Sequence, residues 1–362
     1  MENKMNNIAL KVKGILPEAK ETITLLLERT DGAPLNYKAG QFLTLILPIN
    51  GRELRRSYSF SSAPGLDPTA SITIKRVING EASRFLQDHL QVGDELQTLP
   101  PAGKFTLEDI RGPRLFFIAA GSGMVPVFSL LKTALSQDQA KQVTVLSQFR
   151  DEESILFKKS LEELETRYKP RFRWVNLLSG AVKKTPGTPG DVSGGSKRIG
   201  RLNNWLLEEL LGELLLIESD GDKQDPYFFL CGPPAFMRMA QFTLRLMGIA
   251  GTQIKKENFT VEYVPPPPLL TDTSPKKITL HTANRSYQFE AAWPTTILQA
   301  GLDNHIPMPY SCRGGRCSTC VAKCLKGEVK MSINEVLTDK DLLTGLVLPC
   351  VGYAATDLEL EF

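Results

Sequence analysis

The sequence predicts a chain of three domains: an antiparallel β-barrel, an α/β domain built on a parallel sheet, and a small α+β domain. Three observations lead there. Residues 8–108 read as short alternating strands between turns, whereas the stretch from Leu115 onward alternates strands with helices. Five of the six cysteines then crowd between Cys312 and Cys350, behind four consecutive prolines at Pro265–Pro268. A chain of 362 residues also exceeds what one ordinary core supports. The expected limits are 1–110, 111–264, a proline-rich linker over 265–276, and 277–362.

In the first domain, Ile23–Leu27, Phe42–Leu47, Ile72–Val77 and Asp94–Leu99 alternate apolar and polar side chains, which turns one face of each toward a core. Gly40, Gly51, Pro64-Gly65 and Gly93-Asp94 punctuate them, and short strands at this spacing build barrels or sandwiches. One helix is expected at Ala82–Leu90.

In the second domain, Leu115–Ala120 is a continuous apolar run, the mark of a strand buried on both faces. Further strands are expected at Val143–Leu146, Arg173–Leu178 and Tyr227–Leu230. Helices are expected at Val125–Leu135, Glu153–Tyr168, Leu202–Leu211 and Ala235–Met247. The alternation implies a parallel sheet. Residues 181–200, rich in Gly, Pro, Ser and Lys, read as an exposed loop.

Pro265–Pro268 favours an extended, semi-rigid spacer. The third domain should then place strands at Ile278–His281, Ser286–Phe289 and Leu358–Phe362, and a helix at Thr296–Asn304. Its cysteines carry the clearest chemistry. Cys312, Cys317 and Cys320 stand as C-x4-C-x2-C with Cys350 far downstream, the spacing of a plant-type [2Fe–2S] site. A structural zinc site usually shows two similar short pairs, not three plus one. The loop must also approach the cluster closely, and Gly314, Gly315, Ser318 and Thr319 are small. Cys324 has no partner in the pattern and reads as a buried free thiol.

Other classes find little support. The formal charge is +3, so no charge signature of a nucleic-acid partner stands out. No apolar run reaches the length of a membrane span, and the polar N-terminus lacks a signal-peptide pattern, so no membrane insertion and a cytoplasmic location are expected. The three histidines sit in no recognisable motif, which argues against Ser-His or Cys-His hydrolysis.

The loop Cys-Arg-Gly-Gly-Arg-Cys-Ser-Thr-Cys over residues 312–320 resembles that of plant-type ferredoxin domains fused to bacterial reductases, which implies a β-grasp fold for 277–362. Many such loops carry a small residue where this one has Arg316. That positive charge should favour the reduced cluster.

Arg56-Ser57-Tyr58-Ser59 resembles the R-x-Y-S signature of the ferredoxin–NADP reductase superfamily, and Thr73-Ile74-Lys75-Arg76 its second flavin strand. Gly80-Glu81-Ala82-Ser83 opens a helix whose N-terminus suits a pyrophosphate. The resemblance implies FAD rather than FMN, with Arg56 on the pyrophosphate, Tyr58 against the isoalloxazine and Ser59 near flavin N5. Gly121-Ser122-Gly123-Met124-Val125-Pro126 and Cys231-Gly232-Pro233 resemble the superfamily's two nicotinamide motifs, Cys231 orienting the nicotinamide ring. Glu257-Asn258-Phe259 with Glu262-Tyr263 resembles the segment that places an acidic residue near the nicotinamide and an aromatic ring over the flavin. Phe259 and Tyr263 both qualify for the ring. Arg150, just after the second strand, is a candidate for the 2′-phosphate of NADPH, with NADH as the alternative.

Taken whole, the order resembles three-part reductases such as the components serving phenylacetyl-CoA epoxidase and ketosteroid hydroxylases. It implies electron flow from NAD(P)H through FAD and [2Fe–2S] to an oxygenase, epoxidase or desaturase component, with the phenylacetyl-CoA epoxidase type favoured. A general ferredoxin or flavodoxin reductase is the alternative, and a redox sensor without turnover a further one. The attached carrier argues against the first, and the intact motifs against the second.

Overall fold

The computed structural model describes residues 7–110, 112–139, 141–180, 197–218, 226–259, 265–283 and 285–362. The alternating segments of the first domain become β1 (Ile8–Ala19), β2 (Thr22–Arg29), β3 (Phe42–Ile49), β4 (Arg52–Ser59), β5 (Ala70–Lys75), helix α1 (Glu81–His89) and β6 (Glu95–Thr98). They form one antiparallel sheet in the order β4-β3-β6-β1-β2-β5. A bridge between Phe60 and Ile72 joins the outer strands and closes the sheet on itself. Leu10, Leu25, Leu43, Leu45, Phe60, Ile72 and Ile74 fill the interior, all fully buried. Each such side chain contributes about 1.5–3 kcal/mol of burial free energy.

The second domain runs β7 (Arg114–Ala120), α2 (Met124–Gln137), β8 (Gln142–Phe149), α3 (Lys158–Arg167), β9 (Phe172–Leu178), β10 (Lys197–Ile199), α4 (Asn204–Glu218), β11 (Pro226–Cys231), α5 (Pro234–Leu246) and β12 (Ile254–Glu257). Its sheet is parallel throughout, ordered β10-β9-β8-β7-β11-β12. From β7 the chain steps outward to β10, then returns to the other side for β11 and β12. The strand order thus reverses between β7 and β11, and open α/β sheets bind ligands at that point, outside the carboxyl ends of the strands. Every residue of β7 is buried, as its apolar run requires. Phe117, Val127, Leu131 and Phe229 pack on one face of the sheet, and Phe116, Ile118, Leu207 and Phe228 on the other.

Two expectations need correction here. The single helix expected over Glu153–Tyr168 is broken: a short turn at Glu152–Ser154 precedes α3, and Phe157 between them has φ 57°. Ile155, Leu156 and Phe157 are all buried, Phe157 stacked on Phe128 with ring centroids 4.1 Å apart. Three consecutive side chains cannot all face one side of a helix, so the chain leaves helical geometry to bury them. The stretch 181–200 is not loop throughout, because Lys197–Ile199 pairs in parallel with β9. Residues 181–196 lie outside the described residues.

The third domain comprises β13 (Lys276–His281), β14 (Ser286–Ala291), α6 (Ile297–Asp303), β15 (Ala322–Lys326), β16 (Val329–Met331), α7 (Asp339–Leu343), β17 (Leu346–Val347), β18 (Gly352–Ala354) and β19 (Leu358–Glu361). Its main sheet is β14-β13-β19-β15-β17, with β13 parallel to β19 and the other pairs antiparallel. Thr296 caps α6 by accepting the Gln299 N–H at 3.2 Å. Ile297, Leu298 and Ala300 of α6 share a core with Leu280, Phe289 and Leu360, a sheet grasping a helix. Cys324 is half-buried rather than buried. A register shift between Cys324 and Lys326 in the β15–β19 pairing leaves its Sγ 3.4 Å from the Lys326 carbonyl. Among the described residues no helix is long and apolar enough to cross a membrane.

Candidate redox site between the three domains

The nucleotide side of the site is made by strand ends at the switch point. After β7 the chain makes a tight turn at Gly121–Gly123 and enters α2 at Met124. Gly121 has φ +56°, a conformation glycine adopts at little cost. Gly123 is needed for a different reason, since a Cβ there would lie 2.1 Å from the Cys231 carbonyl oxygen. The two glycine motifs are therefore one packed unit. Ser122 is half-buried, and Pro126 is buried in the first turn of α2. Gly232 lies against Ala120, and Pro233 caps α5. Cys231 is fully buried, with Ala119 beside it on one side and Glu257 on the other. Burial pushes its thiol well up and the Glu257 carboxylate adds to this, so it is no nucleophile. Arg150 is exposed just past β8, on the same carboxyl edge of the sheet, and its carbonyl accepts the Gly180 N–H at 2.8 Å.

The flavin side comes from the barrel. Arg56 and Ser57 are exposed on β4 and Ser59 is buried. Tyr58 packs against the barrel core, where burial pushes its hydroxyl up to about 12. Ser59 Oγ donates to Glu257 Oε2 at 3.4 Å, and burial pushes that carboxyl up to about 8. Thr73 Oγ1 is paired with Thr24 Oγ1 at 2.8 Å, Ile74 is buried in the barrel core, and Lys75 is exposed. Thr73 and Ile74 can thus meet a cofactor only through the main chain. Glu81 is held by Arg52 at 2.6 Å and Asn50 at 3.0 Å. The Arg52 contact chiefly lowers its carboxyl, and Arg56 is near enough to add to that. Ala82 and Ser83 are buried, with Ser83 Oγ accepting the Val77 N–H at 3.0 Å. Glu81 and Ser83 are therefore occupied internally. Arg56 and the main chain of the α1 turn are the groups suited to a pyrophosphate.

The cluster loop completes the site. Arg313, Gly315 and Ser318 all have positive φ, which curls the loop tightly. Cys312 and Cys317 are half-buried, Cys320 and Cys350 buried. The thiols gather as two pairs: Cys317 donates toward Cys312 and lowers it, and Cys320 donates toward Cys350 and lowers that. The N–H of Gly314 reaches Cys312 Sγ at 3.4 Å, Arg316 N–H also points to Cys312, and Gly315 N–H points to Cys350. A [2Fe–2S] cluster would be held by four Cys thiolates, and two thiol pairs ringed by N–H donors would suit it. Among the described residues no three Cys, His, Asp or Glu side chains converge as a single metal ion would need.

The three parts meet at a cavity of about 320 Å³, walled by Arg56, Ser57, Ser59, Glu257, Phe259, Cys312 and Cys317 among others. Tyr58 is not in its wall. Arg55 is, and its buried Nη1 has no hydrogen-bond partner, a donor suited to a polar ring edge. Phe259 is 46% exposed. Glu262 and Tyr263 lie outside the described residues. Sequence pattern does not reveal the contacts that hold the third domain here. Ser57 Oγ and Ser311 Oγ are 2.7 Å apart, and the Arg55 guanidinium lies over the Tyr310 ring at 4.1 Å, with Arg313 of the same domain as Tyr310 at 4.3 Å. Lys104 pairs with Asp341 at 2.7 Å. No local pattern signals the Ser57–Ser311, Arg55–Tyr310 and Lys104–Asp341 contacts, because their partners are far apart in the chain.

Comparison with known proteins agrees with this arrangement. Three family models match in chain order: an oxidoreductase FAD-binding domain over residues 8–107, an oxidoreductase NAD-binding domain over 117–241 and a 2Fe-2S iron-sulfur cluster binding domain over 281–355. The ferredoxin reductase component of 3-ketosteroid-9-alpha-monooxygenase from Mycobacterium tuberculosis is 30% identical, over 97% of this chain and 94% of its own. The chain belongs to the family of three-domain oxygenase reductases. A component of 1,2-phenylacetyl-CoA epoxidase from Escherichia coli is 28% identical to the reductase, over 94% of this chain and 93% of its own. The epoxidase type is therefore not singled out from the ketosteroid type. Phthalate dioxygenase reductase shares the fold, with a TM-score of 0.60 at 21% identity over 99% of this chain and 98% of its own. The reductase is an NAD(P)H oxidoreductase whose cofactors are FAD, a nicotinamide nucleotide and a [2Fe–2S] cluster.

Proposed function

We propose that the reductase takes hydride from NADPH and delivers electrons singly to a separate oxygenase component. The observation that carries this reading is the shared cavity, in which the R-x-Y-S strand, Glu257 and Phe259 face Cys312 and Cys317. When bound, FAD accepts hydride from the nicotinamide, and the cluster relays the two electrons one at a time to the acceptor.

The chain's own residues supply position and exclusion. The Gly121–Gly123 turn and the N-terminus of α2 offer N–H groups and a favourable dipole to the nucleotide phosphates. Arg150 pairs with the 2′-phosphate, and Arg56 with the flavin pyrophosphate. Gly232, Pro233 and the buried Cys231 shape the floor on which the nicotinamide rests. Ser59, tied to Glu257, offers a hydroxyl where hydride arrives, and Phe259 shields that place from water. Cys312, Cys317, Cys320 and Cys350 hold the irons. The domain limits 1–110, 111–264 and 277–362 go with this division of labour.

Relatives serve acceptors as different as a ketosteroid monooxygenase, an epoxidase and a glycine betaine monooxygenase. The partner is accordingly proposed as an oxygenase component, with the phenylacetyl-CoA epoxidase type as one candidate. Cys317→Ser tests the route. NADPH-driven ferricyanide reduction, which the flavin alone supports, should persist in the variant, whereas cytochrome c reduction should fall at least about tenfold. Undiminished cytochrome c reduction would mean that electrons leave from the flavin and would refute the proposal.

A further inference from the structure

We infer that Glu335 is a positioning residue that fixes the cluster loop against the flavin cavity and balances the charge of Arg316. This rests on the reading that the cavity holds the flavin. Glu335 holds both stretches of backbone that donate to the cysteines. Its main-chain N–H donates to the Gly315 carbonyl at 3.2 Å, and the Gly315 N–H points at Cys350. Its carboxylate Oε1 receives Arg316 Nη2 at 3.1 Å, and the Arg316 main-chain N–H points at Cys312. One residue thus braces a donor to each of the two thiol pairs.

The other carboxylate oxygen leaves the third domain altogether. Oε2 accepts Asn258 Nδ2 at 2.6 Å. Asn258 stands between Glu257 and Phe259, and all three wall the cavity. A single carboxylate therefore ties the cluster loop to the segment that closes the flavin site. The Arg316 and Glu335 side chains are only 10% and 26% exposed. Charge-assisted hydrogen bonds this sheltered are stronger and more rigid than surface ion pairs. The pairing also opposes the positive charge that the loop sequence alone would place by the cluster.

The test compares the loaded reductase with Glu335→Ala, Glu335→Gln and Asn258→Ala. Anaerobic mixing with NADPH is followed at flavin and cluster wavelengths, and the cluster potential is measured by dye-mediated titration with electron paramagnetic resonance detection. Hydride arrival at the flavin should stay within about twofold of the parent in Glu335→Ala and Glu335→Gln. Transfer onward to the cluster should slow about tenfold in Glu335→Ala and severalfold in Asn258→Ala. Glu335→Gln should retain most of that rate, because its amide oxygen still accepts a hydrogen bond, but its cluster potential should rise, since a negative charge beside Arg316 is lost. Asn258→Ala should leave the potential unchanged. Loss of packing alone would not raise the potential in the isosteric variant. Parental rates and potentials in Glu335→Gln and Asn258→Ala would overturn the inference, as would a slowed hydride phase in both Glu335 variants. Should the Ala variant lose its cluster, those two variants decide. A parent protein whose cluster stays oxidised would instead overturn the electron route on which the inference rests.

Discussion

Replacing Gly123 by Ala is the sharpest test of how the two nicotinamide motifs are built together. Gly123 has φ −60° and ψ −18°, which suit alanine, so backbone strain is not the issue. The added Cβ would sit 2.1 Å from the Cys231 carbonyl oxygen, 2.4 Å from its carbon and 2.8 Å from the Gly232 nitrogen. All three are main-chain atoms, and no rotamer change can clear them. Relief to ordinary contact needs a displacement of about 1 Å, spread over the Gly121 turn and the β11 end. Overpacking of this kind costs about 1–3 kcal/mol. For a domain of this size that lowers Tm by roughly 2–4 °C per kcal/mol. The catalytic cost is larger, since a misplacement of about 1 Å can cost about 100-fold in rate. Gly121→Ala is the control: its φ of +56° is strained for alanine by about 1–2 kcal/mol, but a Cβ there meets nothing within 4 Å. Stopped-flow flavin reduction by NADPH should give a kcat/KM about 100-fold lower for Gly123→Ala and no more than about tenfold lower for Gly121→Ala. Equal rates for parent and Gly123→Ala would refute the reasoning.

Other outcomes follow from the same site. Arg150→Ala should raise KM for NADPH about tenfold to 100-fold, the worth of a charged hydrogen bond of about 1.5–3 kcal/mol, and leave NADH unaffected; equal losses for both nucleotides would remove Arg150 from the 2′-phosphate. Tyr310→Ala removes the Arg55–Tyr310 cation–π contact between the first and third domains, worth about 0.5–1 kcal/mol, so the third domain should loosen. Small-angle scattering should then show a larger radius of gyration, and an unchanged radius would speak against this contact as a tie between the domains. Arg316→Gln should lower the cluster potential, because a unit charge about 10 Å away at an effective dielectric of about 20 is worth about 1.7 kcal/mol, or about 70 mV for one electron. Combining it with Glu335→Gln should restore the parent potential, and a double variant as low as Arg316→Gln alone would show that the pair does not cancel.

Much of this is legible in the sequence because it rests on local pattern. Short apolar-rich runs between turns mark β2, β3, β5 and β6, the apolar run at Leu115–Ala120 marks a central strand, and the C-x4-C-x2-C spacing marks the cluster loop. Misses arise where tertiary packing overrules the local pattern. The helix break at Phe157 follows from burying Ile155, Leu156 and Phe157 together, which depends on Phe128 in another helix. Cys324 reads in sequence as a buried thiol because the bulge that shifts it belongs to the β15–β19 pairing. The Ser57–Ser311 contact joins residues 254 positions apart. Asn258 and Glu335 are separated by 77, and no local pattern links them. The charge of Arg316 is visible in the cysteine loop without its partner, since Glu335 sits outside that loop.

The central claim is that one chain carries electrons from the nicotinamide through the flavin cavity to its own cluster. The most direct measurement is a single-turnover anaerobic reaction with NADPH at several protein concentrations, resolved by wavelength. The flavin band should bleach first and the cluster band second, with a second-phase rate independent of protein concentration. A cluster that stays oxidised, or one whose reduction rate rises with protein concentration, would contradict it.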